Sequence, residues 1–409
     1  MGLTKILLGK PGLLYVCLSL FCACQGQSGK ENPTQPAREI GGPFENRDYM
    51  YMGMPSQIPS ADSSSGLQEN APRIMVTGVV YRLNPRRPAP GTIIYYYHTN
   101  ADGRYLHKPS VPVSMPPNGQ GQTHGYIRGW VKTDSLGRYK IYTIRPGVYP
   151  TRDEPAHIHL TVKEPNDIPG YYIDDIMFDD DKLLTSAKRL AQPNRAGSGV
   201  VRLVSKDGWQ VGERDIYLGM RIPGHPEEKT LNSLKGIQAG EEVQSFIPWH
   251  AWGPDKGKRT CPVCAYGWYH GILYLVKQEP DWADTRKWLM MLEEACIKRD
   301  TALTVYFVYG NPVGYTKEKR MQELSRIGRE LGLKRIAVTF VPSFTDEESE
   351  INLNNFQPGD MNSFILFKRR KVIDRFENLQ ATEGNFQKIM NALDGSENEY
   401  FHLESPTYH

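Results

Sequence analysis

At 409 residues the chain is long enough for two or three domains of ordinary size. Its 49 Lys and Arg against 46 Asp and Glu leave a net charge of only +3, which argues against a dedicated nucleic-acid binder. A composition of 39% hydrophobic and 11% aromatic residues excludes wholesale disorder, while 38 Gly and 30 Pro point to many turns and a β-rich portion.

In chain order, Lys5 and Lys10 precede an apolar run over 13–23, shorter than the roughly 20 residues of a membrane-spanning helix. The run ends Leu20-Phe21-Cys22-Ala23-Cys24 and turns polar at once with Gln25-Gly26-Gln27-Ser28. It resembles a bacterial lipoprotein signal peptide. That resemblance implies a leader over 1–23, lipidation at Cys24, and membrane attachment in the bacterial cell envelope, on the periplasmic or cell-surface side. Residues 24–72, rich in Gln, Ser, Gly, Pro and Asn, read as a tether.

Over 73–226 short apolar runs punctuated by Pro and Gly predict strands at 75–82, 92–98, 127–133, 138–144, 157–162, 200–204 and 215–221. Such spacing suggests an antiparallel β-sandwich or barrel. Over 229–395 the period changes to that of an α/β domain: strand 272–276, helix 284–298, strand 303–309, helix 316–331 and strand 336–341. A hairpin at 364–367 and 372–376 and a helix at 385–393 follow, and 396–409 form a tail.

The strongest chemical signal is Pro155-Ala156-His157-Ile158-His159-Leu160-Thr161-Val162. On a strand, His157, His159 and Thr161 face one way while Ile158, Leu160 and Val162 face the core. Two imidazoles on one face can reach one metal ion, although a lone His-x-His also occurs as surface or hydrogen-bonded histidines. The segment follows Thr133-Asp134-Ser135-Leu136-Gly137-Arg138-Tyr139 and Pro146-Gly147-Val148-Tyr149, with Asp102-Gly103-Arg104-Tyr105 earlier still.

This succession resembles the intradiol ring-cleavage dioxygenases, the catechol and protocatechuate dioxygenase family. The resemblance implies Fe(III) held by Tyr105, Tyr149, His157 and His159, with a catecholic aromatic substrate and O2 giving a muconate-type diacid. Phenolates are hard anionic donors that suit ferric iron, and neutral imidazoles complete the set. The family's Arg before Pro-Ala-His-Ile-His is replaced by Glu154, and its Gln in the next strand by Asp175. Tyr149, Glu154, Asp175 and Arg152 are therefore the candidate catalytic groups, with Arg152 or Arg145 available to pair with Glu154. Solvated or core hydrogen-bonding roles are the ordinary reading for His98, His107 and His124.

In the C-terminal half, Cys261-Pro262-Val263-Cys264 and the strand–helix order resemble a thioredoxin-like or peroxiredoxin-like domain. In that fold the active cysteines follow the first central strand and open a helix; here the pair precedes the strand. Cys261 and Cys264 are read as a disulfide, a pair of buried thiols or a redox pair, the inert forms being favoured. Three other readings stay open: a non-catalytic binding module in the sandwich, a thiol oxidoreductase, and an interaction platform built on Lys368-Arg369-Arg370-Lys371, a run that is ordinarily a solvated turn. The sequence leaves the oligomeric state open.

Overall fold

The computed structural model describes residues 40–41, 46–83 and 86–404. The expected leader and Cys24 lie outside the described residues. The described residues form one compact unit. Among the described residues no helix is long and apolar enough to cross a membrane.

Two sheets face each other in the N-terminal part. In one, Arg73–Leu83 is central, pairing antiparallel with Arg138–Ile144 and parallel with Trp209–Glu213. In the other, His157–Lys163 is central, flanked by Ile93–Tyr97 and Ile176–Phe178, with Arg128–Lys132 beyond. Ile74, Val76 and Ile141 of the first sheet pack against Ile94, Ile158, Leu160 and Val162 of the second, all fully buried. Alternation therefore places the apolar side of the His-x-His strand in the core, as period-2 patterning requires.

The tether reading fails for residues 46–72. Ala61–Ser63 pairs parallel with the 138–144 strand, and Ser64 Oγ meets Thr143 Oγ1 at 2.7 Å. Met50 is buried, and its carbonyl accepts Trp130 Nε1–H at 2.6 Å. Polar, turn-rich text was read as linker because its partners lie some 80 residues away in sequence. The strand expected over 200–204 is split into Val200–Val201 and Val204–Lys206, and only Ile216–Tyr217 is strand within 215–221. Trp209–Glu213 was not foreseen.

The C-terminal part is a six-stranded sheet. Its order is Trp249–Trp252, Ala337–Phe340, Leu303–Tyr309, His270–Val276, Ser363–Lys368 and Lys371–Glu377. The strands at 270, 303 and 337 run parallel, linked by helices Trp282–Arg299 and Lys317–Glu330, and the last two form an antiparallel hairpin before helix Glu383–Asp394. Trp282–Arg299 starts earlier than its periodicity suggests because Asp281 accepts the amides of Ala283 and Asp284. The edge strand Trp249–Trp252 and the short helix Pro262–Tyr266 were not anticipated.

Two further expectations are corrected here. Cys261 is the N-cap of Pro262–Tyr266, its Sγ accepting the Cys264 amide at 3.1 Å, so the pair does open a helix. Both thiols are free here, Cys264 exposed and Cys261 half-buried. The basic turn is not solvated either. Lys368 and Arg369 pair with Glu213 of the sandwich, and Arg370 pairs with Glu242. Lys371 Nζ donates to Ser198 O at 2.8 Å, and burial pulls its ammonium down to about 7. Lys368, Arg369 and Lys371 join the two parts, each finding a carboxylate or carbonyl on leaving water.

Candidate metal centre

Tyr105 and Tyr149 sit on two loops that close on each other. Gly103 has φ +74°, and a Cβ there would stand 1.8 Å from Val148 O; one on Gly147 would stand 2.2 Å from Ala101 O. The amide of Gly147 donates to Asn100 O at 3.0 Å, fixing the approach. The glycines of Asp102-Gly103-Arg104-Tyr105 and Pro146-Gly147-Val148-Tyr149 thus bring the two phenols together.

The four expected donors converge. Tyr149 Oη lies 3.0 Å from Tyr105 Oη, 3.1 Å from His157 Nε2 and 3.3 Å from His159 Nε2. The two Nε2 atoms are 3.2 Å apart. His157 Nδ1 faces Pro155 O at 2.7 Å, and His159 Nδ1 faces Asp175 Oδ1 at 3.0 Å. A carbonyl and a carboxylate only accept, so each neutral ring carries its proton on Nδ1 and turns the bare Nε2 lone pair inward. Two inward lone pairs and two phenol oxygens in contact are a donor set for a hard Lewis acid; without one, the two imidazole nitrogens face each other unfavourably.

Asp175 also lies within 4.8 Å of His157 and His159 in ligand-atom terms. Its Oδ1 is engaged on the outer nitrogen of His159, so it is placed to orient that imidazole. Burial raises the Asp175 carboxyl, but the field and hydrogen bond of His159, with His157 nearby, outweigh this and hold it below the usual range. Burial pushes both the Tyr105 and Tyr149 phenols up and the His157 imidazolium down. The protein alone therefore favours the neutral forms of these groups, and a cation bound among them would supply the charge that ionises the phenols.

The remaining candidates fall outside this cluster. Arg152 and Glu154 are exposed in the turn between Tyr149 and His157, where Arg152 takes the left-handed φ of 56°. Of the two expected partners of Glu154, Arg145 forms a two-bond pair with Asp180. His98 is buried between Thr99 O and Thr143 Oγ1, and His107 bonds Ser114 at the surface. His124 is a supporting group, stacked on Tyr97 at 3.5 Å, with Tyr97 in turn stacked on His159 at 4.6 Å. A cleft of about 440 Å³ opens beside the cluster, lined by Tyr97, His159, Tyr172, Asp175, Gln192 and Arg195. Gln192 and Arg195 were missed; they arrive from a loop held by Asp174, whose carboxylate accepts the amides of Asn194 and Arg195.

Comparison with known proteins bears on the same stretch. The protocatechuate 3,4-dioxygenase beta chain of Burkholderia cepacia is 35% identical over 96 residues, 22% of this chain and 38% of that protein. The chain thus spans under two fifths of that relative's length. Among solved structures, the dioxygenase domain of a carbohydrate-binding fusion from Streptomyces sp. SirexAA-E aligns with a TM-score of 0.30 at 19% identity, covering 40% of this chain and 91% of that one. Catechol 1,2-dioxygenase from Acinetobacter sp. ADP1 aligns at 0.28 and 18%, covering 39% and 58%. Residues 47–206 match the Dioxygenase_C family, described as dioxygenase, and all four converging donors lie within the matched stretch.

Proposed function

We propose that the protein is a non-haem Fe(III) intradiol dioxygenase that opens a catecholic ring with O2 to a muconate-type diacid. The observation that carries this is the convergence of Tyr105, Tyr149, His157 and His159, with both imidazoles turned inward by their outer hydrogen bonds. When bound, ferric iron supplies the redox chemistry between catecholate and oxygen. Tyr149 Oη, central among the donors and half-buried, is placed to hold a proton released by an entering diol. Asp175 keeps the His159 ring oriented. Arg195 supplies a cation to the cleft wall, where the carboxylates of Asp174 and Asp175 would otherwise repel an anionic ring.

The remaining readings complete the proposal. A βαβαβ–hairpin–helix order supports a thioredoxin-like C-terminal domain. The apolar run before Cys24 supports export and lipid anchoring in a bacterial envelope. The exposed carboxylate of Glu154 beside the site favours the second reading, a sandwich that binds iron or an aromatic without turning it over. Oxygen uptake by the iron-loaded protein with a panel of catechols separates the two. Consumption with both oxygen atoms entering a ring-opened diacid supports the dioxygenase; iron binding with no uptake for any catechol favours the binding module.

A further inference from the structure

The dithiol at Cys261 and Cys264 lies far in sequence from the tyrosine–histidine cluster, and its surroundings are drawn from both parts of the molecule. Cys264 is exposed, and Cys261 is half-buried against the apolar cluster of Val263, Leu273 and Tyr306. Cys261 Sγ accepts the Cys264 amide at 3.1 Å, so the two residues share one tight turn. Cys264 Sγ meets Ser245 Oγ at 3.1 Å, and Arg370 donates to that same hydroxyl at 3.5 Å. From the sandwich, Arg202 crosses to donate to Gly267 O at 2.9 Å, at the end of the short helix carrying Cys264. Asp179 holds Arg202 at 2.7 Å. An accessible sulfur, a recessed one beside it and two guanidiniums at a joint form a built arrangement.

We propose that Cys264 and Cys261 form a thiol–disulfide exchange site for a low-molecular-weight disulfide, with Cys264 as the attacking sulfur and Cys261 as the resolving one. Cys264 thiolate attacks one sulfur of the disulfide, forming a Cys264–SR bond and expelling RS⁻. Cys261 gives its proton to that thiolate and attacks Cys264 Sγ, breaking the mixed disulfide and releasing a second RS⁻. The dithiol loses two electrons and the small disulfide gains them. The order follows from access: Cys264 is exposed to an incoming disulfide while Cys261 is half-buried. The pair also loses its first proton below the ordinary thiol range. The hydrogen bond from Cys261 to Cys264, with Ser245 and the charges of Arg370 and Arg202, outweighs burial; the second proton is held well above that range.

The test uses the full chain in graded mixtures of glutathione and glutathione disulfide, followed by alkylation and peptide mass analysis. Wild type should form a Cys261–Cys264 disulfide, and Cys261→Ser should accumulate a mixed disulfide on Cys264. The pH midpoint of iodoacetamide reaction at Cys264 should lie below that of a free cysteine, and Arg202→Gln should raise it by about one pH unit. Ser245→Ala, a change at a partly exposed hydroxyl, should shift it the same way and serves if Arg202→Gln does not fold. Failure of wild type to form the disulfide at any ratio overturns the proposal. So does a mixed disulfide settling on Cys261, or an alkylation midpoint at the free-cysteine value.

Discussion

Two central strands, one from each part of the molecule, treat their faces differently. His270–Val276 is buried at every position, between helices on one side and a second apolar cluster on the other. His157–Lys163 buries Ile158, Leu160 and Val162 but leaves His157 and His159 half-open. A strand covered on both faces has no side left for chemistry, whereas a sandwich strand has one face outside the core. The cleft consequently forms on the strand whose alternation is polar on one side. In the α/β part the thiols of Cys261 and Cys264 sit off the sheet, on a short helix that Arg202 of the sandwich reaches.

The sharpest way to break this comparison is one equivalent truncation on each strand. Leu160→Ala and Leu275→Ala remove fully buried side chains, and each should cost about 2–5 kcal/mol in urea unfolding. Only Leu160→Ala should also weaken iron binding, because it loosens the backbone between the two ligands and their core. Equal loss of iron in both variants would mean that the site depends on the whole molecule and not on its own strand. Next in size, Asp175→Asn should weaken metal affinity by roughly 10–100-fold, read by chelator competition, because the amide cannot hold His159 as firmly.

Much of this was legible in the sequence, for local reasons. The His-x-His strand alternates, so its two imidazoles on one face were readable from pattern, whereas Tyr105 and Tyr149 entered only through the resemblance to the intradiol dioxygenases. What escaped was non-local. The 46–72 segment looks like linker, yet its hydrogen-bond partners come from the strands at 128 and 138. The turn at 368–371 looks solvated, yet Glu213 and Glu242, more than 100 residues earlier, cover it. Gln192 and Arg195 reach the cleft through a loop with no motif of its own.

A smaller effect concerns acid stability of the sandwich. Glu164 is fully buried and accepts from Tyr171 Oη at 2.8 Å, with His225 Nε2 at 2.9 Å and Arg82 at 3.2 Å. Burial raises its carboxyl, but the hydrogen bonds of His225 and Tyr171 outweigh this and hold it below the ordinary glutamate value. A depressed folded-state pKa means stabilisation that is complete above the unfolded value and lost as pH falls through the folded one. Thermal unfolding of wild type and Glu164→Gln between pH 6 and 3 should therefore converge on acidification; a gap that stays constant would remove Glu164 as the titrating group.

The smallest expected effect is at Glu154. Its carboxylate is exposed, so water screens its repulsion of an anionic ring. Glu154→Arg should lower KM for simple catechol by no more than about tenfold, equivalent to about 1.4 kcal/mol, with iron content unchanged. A large loss of kcat in that variant would assign Glu154 a direct part in the reaction.

Visible absorption with iron analysis tests the central claim most directly. The iron-reconstituted protein should hold one ferric ion and show the red-to-purple charge transfer of tyrosinate bound to Fe(III). That absorption should change in both Tyr105→Phe and Tyr149→Phe. A colourless protein that retains no iron, or a colour identical in both variants, would contradict the assignment of Tyr105, Tyr149, His157 and His159 as the metal-holding set.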